Sequence, residues 1–244
     1  MGAIYKRELL AYFKSPIGYV FSAIFFAISG ICFVSTTVSQ GSTNTSAYFA
    51  MVLMFFVILI PLLTMKLLSE EKKLGTEQLL LTSPVSLVGV ICAKFFAAFT
   101  IFAGTLGVSS LLNMLALYDI ASQQEYVIAK MNLPTFIGCI IGVLLIGASF
   151  IAIGLFISSL TENQIISAVV SIGAFALIMA SSAFAANINN TVIRVIVKWF
   201  SVMDRFIGFQ RGIFDITALV YYISLTTVFL FLTVRVYEKR RWSD

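Results

Sequence analysis

The sequence predicts an all-α integral membrane protein with six transmembrane helices, and three observations carry that prediction. Of its 244 residues, 60% are hydrophobic and only 11% charged, whereas an ordinary soluble domain carries about a quarter charged residues. The mean hydropathy is +1.01. Charge is also absent from the long windows 17–65, 95–117, 133–160, 163–193 and 216–234. A spanning helix needs roughly 20 mostly apolar residues, so the first window holds two spans and each of the others one.

Ahead of the first span, residues 2–16 place Tyr5, Leu9, Tyr12 and Phe13 on one helical face and Lys6, Arg7 and Lys14 away from it. That is the pattern of an interfacial helix lying in the membrane surface. Pro16 allows a turn into the first span, about 17–38, and an uncharged polar loop over 39–46 leads to a second span over about 47–68. The third run starts at Ser83-Pro84, with Ser as N-cap and Pro at the first helical position, and continues to about Tyr118. Lys94 lies near its inner end, where a long side chain can snorkel to the surface. Residues 119–132 are expected as a polar loop and 133–160 as the fourth span. Thr161-Glu162-Asn163 is a tight connection to the fifth span, and the sixth covers about 217–236. The chain reads as one transmembrane domain over 1–244, with no cleaved signal peptide and no myristoylation signal.

Orientation follows from the basic residues. Six spans put both termini on one side, with Lys6, Arg7, Lys14, Lys66, Lys72, Lys73, Lys94, Arg235, Lys239, Arg240 and Arg241. By the positive-inside rule that side is cytoplasmic, so the expected location is the inner, cytoplasmic membrane of the cell. Lys130, Arg194, Lys198, Arg205 and Arg211 fall on the other side. Most of these belong to residues 187–215, a segment apolar enough to suggest a seventh span. A charge at mid-helix costs roughly 2.5 to 3.5 kcal/mol, which favours an outer interfacial or re-entrant helix over a span. A seventh span would move the C-terminus outside.

The chain contains no histidine, the commonest general base and metal ligand. It also lacks the G-x-x-x-x-G-K-[ST] loop that cradles ATP phosphates. The charge-free windows hold no Asp or Glu to relay protons or bind a coupling cation, which argues against a channel or secondary carrier. Cys32, Cys92 and Cys139 stand at no metal-ligand spacing and suit buried thiols. No catalytic residue, metal site or cofactor is expected in this chain. The net charge of +5 gathers near helix ends, which suits contact with membrane lipids and not nucleic acid.

One stretch interrupts the apolar pattern: LLSEEKKLGTEQLLLTSPVS, residues 67–86. Ser69 to Leu74 can finish the second span beyond the membrane, and Gly75 is a natural helix stop. Thr76 can cap a new short helix with Glu77 and Gln78 in its first turn. Leu79, Leu80 and Leu81 then offer apolar contact before Thr82-Ser83-Pro84 restarts the next span. A solvated turn with its leucines resting on lipid is the plain alternative. Helix connections commonly take about 2 to 8 residues, however, and a larger structured insertion is better explained if something grips it.

The order of these elements resembles the membrane subunit of type-2 ABC transporters, with similarity to the gliding-motility-associated and nitrous-oxide-reductase-maturation permeases. The motifs that carry the resemblance are YKREL and SPIGYVF at the start, EEKKLGTEQLLLTSPVS in the first loop, and RGIFD followed by YYISLTTVFLFLTVR at the end. The resemblance implies a permease that couples ATP hydrolysis by a separate ABC ATPase subunit to substrate translocation, most readily export. It further implies a second permease copy or paralogue, with ATP and Mg on the partner and none in this chain, which is no enzyme itself. The loop over 69–83 would contain the cytoplasmic coupling helix, with Glu70, Glu71, Gly75, Thr76, Glu77, Leu80, Ser83 and Pro84 matching it. Arg211, Gly212 and Asp215 would match the outer segment entering the last span. The alternative is a mechanotransmission or scaffold subunit that acts on an extracytoplasmic partner without moving cargo.

Overall fold

Long apolar runs, punctuated where proline, glycine or polar clusters interrupt them, fold here as a bundle of helices. A computed structural model describes residues 2–39, 45–75, 86–123, 132–187, 194, 197–199 and 201–241. Helix α1 spans Gly2–Lys14 and α2 Pro16–Phe33, with Pro16 at the first position, where a missing N–H leaves no bond unmade. A π-helical turn, Val34–Val38, ends α2. Helix α3, Ser46–Thr64, contains Pro61 and stops one turn later, and the short α4, Ser69–Lys73, follows. Beyond it lie α5, Leu87–Gln123, and α6, Leu133–Leu160, then α7, Gln164–Asn187. The nine-residue α8, Val202–Gln210, precedes α9, Ile216–Arg241.

Six helical stretches among the described residues are long and apolar enough to cross a membrane: 16–38, 46–73, 87–118, 133–160, 164–185 and 216–240. Nine residues of helix rise about 14 Å, less than half of a bilayer core, so α8 is no seventh span. One boundary departs from expectation. Helix α5 runs on to Gln123, through residues expected as loop, because 108–123 contain neither glycine nor proline to stop it.

Helix α6 forms the axis. It is 67% buried across its apolar window, against 17% for α9, 22% for α7 and 33% for α2, and it packs against α3, α5, α7, α8 and α9. Small residues let these neighbours close in: Gly154 faces Thr64 of α3, and Gly147 faces the ring of Phe102 on α5. Aromatic side chains fill the remaining core, with Phe56 edge-on to Phe102 at 5.3 Å and Phe150 stacked on Phe175 at 4.5 Å. A neutral hydrogen-bonded cluster sits between α2, α3 and α5, where Ser29 meets Tyr48 at 2.7 Å, bonds Ser109, and accepts from Asn113 at 3.4 Å. Every one of its members is a hydroxyl or amide, so burial costs little once they bond one another.

Candidate functional site

The two ends of α3 identify the two ends of the bundle. Near its C-terminus Leu63 accepts a hydrogen bond from Tyr12 of α1 at 3.1 Å, and at its N-terminus Ser46 bonds Gln210 of α8. The α1 end carries the stretch that the sequence singles out.

At that end the second candidate span is broken and then repaired. After Thr64 the chain turns through 65–68, which leaves backbone N–H groups without intrahelical acceptors. The Oγ of Ser158, on α6, accepts from the N–H groups of both Leu68 and Ser69, at 3.2 and 3.1 Å, and donates to the Met65 carbonyl at 3.3 Å. Ser69 Oγ also donates to Met65. Within α4, Glu70 and Glu71 occupy the first turn and Lys72 and Lys73 the last, an arrangement that complements the helix dipole. Gly75 then takes φ +70, the left-handed conformation in which glycine ends helices without a Cβ clash. Leu74 beside it is 68% exposed.

Beneath α4 lies a buried charge. The Lys94 ammonium, on α5, is 2.7 Å from Glu71 Oε1 of α4 and 3.1 Å from Glu8 Oε2 of α1, and the Lys94 side chain is only 3% exposed. Sequence reasoning expects this lysine to snorkel to the surface, and the structure corrects that: two carboxylates neutralise it where it stands. Glu8 also receives Arg7 at 2.7 Å. Burial alone would raise the Glu8 pKa. The Lys94 charge and the hydrogen bonds from Arg7 and Lys94 outweigh it and hold the carboxyl below its usual range. Glu8 and Ser158 are the residues that sequence reasoning missed. Glu8 lies within YKREL, which points to no partner for it, Ser158 stands in no motif, and their partners lie 86 and about 90 residues away.

Helix α1 is therefore fastened to the bundle as well as amphipathic. Tyr5 bonds Thr100 at 2.8 Å, and Leu9 and Tyr12 pack against the core. Phe13, expected on the same face, is 52% exposed and meets Tyr19 edge-on.

The other predicted residues divide in three. Glu70 is half-buried and approaches Lys66 at 3.9 Å, a loose pair of the kind that contributes little. Thr76, Glu77, Leu80, Ser83 and Pro84 lie outside the described residues, and the first cap described for α5 is Ser86, whose Oγ accepts from Gly89 N–H at 3.3 Å. Arg211, Gly212 and Asp215 come together at the opposite end, in the elbow between α8 and α9. Ser201 caps α8 by accepting from Asp204 N–H, Gly212 turns the chain with φ +71, and Asp215 Oδ1 accepts from Thr217 N–H at 2.9 Å. Arg211 is exposed. Arg205, also of the 187–215 segment, lies 4.0 Å over the Tyr221 ring.

Helix α8 is wedged into this end. A Cβ on Gly138 would stand 2.7 Å from the Phe209 carbonyl oxygen, and one on Gly142 would stand 2.8 Å from the Phe206 ring. Tyr222 of α9 donates to the Val202 carbonyl at 2.8 Å, and Gln210 and Ser46 exchange two hydrogen bonds.

Five apolar helices around a central one, with the charged α4 at one end, suit a membrane protein. The family model for the ABC-2 family transporter protein matches residues 30–237, most of the chain. The chain belongs to the ABC-2 transporter family. No curated protein matches this ABC-2 protein. Both α4 with its Ser158 and Lys94 anchors and the α8 elbow fall within the matched residues, whereas α1 precedes them.

Proposed function

We propose that this ABC-2 protein is the permease subunit of an ABC transporter, and that a separate ATPase grips it at residues 69–83, driving export. The observation that supports this best is the asymmetry of α4. Its inner side is bonded to α5 and α6 through Lys94 and Ser158, while Leu74, beside the turn at Gly75, is exposed. A handle fixed at its root transmits a partner's rigid-body motion with little loss.

On this reading the α1 end and both termini are cytoplasmic, as the basic residues favour, and ATP and Mg are held by the partner. A second permease copy or paralogue completes the path, and the resemblance to gliding-motility-associated and nitrous-oxide-reductase-maturation permeases is part of the same reading. The test is copurification. A buried leucine is worth roughly 1.5 to 3 kcal/mol, so Leu80→Asp is expected to weaken ATPase capture at least about tenfold. Trp199→Asp at the opposite end should leave capture unchanged. Full capture with Leu80→Asp would rule out this docking site.

A further inference from the structure

We propose that Lys94 is a positioning residue for the docking stretch, tying α1 and α4 into one body so that motion imposed at residues 69–83 reaches α5. The inference rests on the proposed ATPase docking and adds a route from that site into the membrane.

Three observations carry it. First, the Lys94 ammonium lies inside the protein, and a charge placed there requires compensation on the spot. Its two carboxylates come from different elements, Glu8 of α1 and Glu71 of α4. Second, Glu71 is four residues before Gly75, so the tie acts within the docking stretch, on the helical turn that leads to Gly75. Third, α4 has two tethers of unlike chemistry. Ser158 holds its start through neutral hydrogen bonds to α6, and Lys94 holds its middle through an ion pair to α5. Displacement of α4 must therefore pull on both helices, and α1 must follow through Glu8. Tyr5 on Thr100 and Tyr12 on Leu63 keep α1 aligned along α5 and α3 while it does so.

A purely structural lysine and a positioning lysine differ in one testable way. Replacing a whole buried ion group by neutral residues of similar shape commonly preserves stability. The variant Glu8→Gln/Glu71→Gln/Lys94→Met should thus insert and melt near the wild-type temperature, and its stimulation is read per captured ATPase, so that any change in docking is separated out. Its permease-stimulated ATP turnover is nonetheless expected to fall about tenfold, with the KM for ATP unchanged. Lys94→Arg, which keeps the charge, should restore most of the stimulation, and Glu71→Gln alone should lose several-fold. Wild-type stimulation in the neutral triple variant, or in Glu71→Gln should the triple variant not fold, would overturn the proposal. Absence of capture or stimulation with the wild-type protein would instead overturn the docking reading on which it rests.

Discussion

The two ends of the bundle are held by different physics. At the α1 end, one ammonium between two carboxylates joins three helices, and a serine from a fourth repairs the break before α4. At the α8 end no ion pair joins the elements among the described residues. Two glycines of α6 admit Phe206 and Phe209, and neutral hydrogen bonds run from Ser46 to Gln210 and from Tyr222 to Val202. A shape-held joint tolerates little displacement, because packing falls off within an ångström. A charge-held joint keeps its attraction over longer distances but depends on every partner being present. The end that carries the proposed handle is the one whose joint can be strained without coming apart.

The largest expected effect follows from that dependence. Glu8→Gln together with Glu71→Gln leaves the Lys94 charge buried and unpaired, and should cost about 3 to 5 kcal/mol, read as a steep fall in melting temperature in detergent. A double variant that melts like the wild type would erase the distinction between the ends. At the shape-held end, Gly138→Val pushes a branched side chain against the Phe209 carbonyl and should cost about 1 to 3 kcal/mol. Its signature is local: quicker amide exchange in 202–210, with ATPase capture intact. Disturbed exchange across α1 and α4 in this variant would show that the joints are not separate.

The smallest effect concerns pH. Because the folded pKa of Glu8 lies below its ordinary 4.5, the stability it contributes is complete above that value. It is lost as pH falls through the depressed folded value. The wild type should therefore lose melting temperature in that acid range more steeply than Glu8→Gln. Parallel profiles would mean that Glu8 is not held as its contacts indicate.

Much of the fold was legible in the sequence, and the reason is length. Each charge-free window is long enough for a span, and Thr161-Glu162-Asn163 is short enough to force adjacent spans antiparallel, as α6 and α7 show. Gly75 stood out as a helix stop because left-handed backbone favours glycine, whereas Gly212, which also takes positive φ, was named only through the resemblance. The site was less legible, since helical periodicity records which face of a helix is apolar but not which distant residue meets it. Lys94 looked like a surface-seeking lysine because nothing local reveals Glu8. Ser158 looked like one small residue among many in α6, and only the break in a different helix gives it a task. The extension of α5 past Tyr118 was hidden by polar residues that suit a loop by composition yet contain no helix breaker.

The measurement that tests the central claim most directly is site-specific photo-crosslinking in membranes containing the permease and its ATPase. A photoreactive residue at Leu74, exposed beside Gly75, marks the α1 end, and one at Trp199, 69% exposed, marks the other. Docking at residues 69–83 predicts an ATPase adduct from position 74 and none from position 199. An adduct from position 199, or none from position 74 while the complex remains intact, would contradict it.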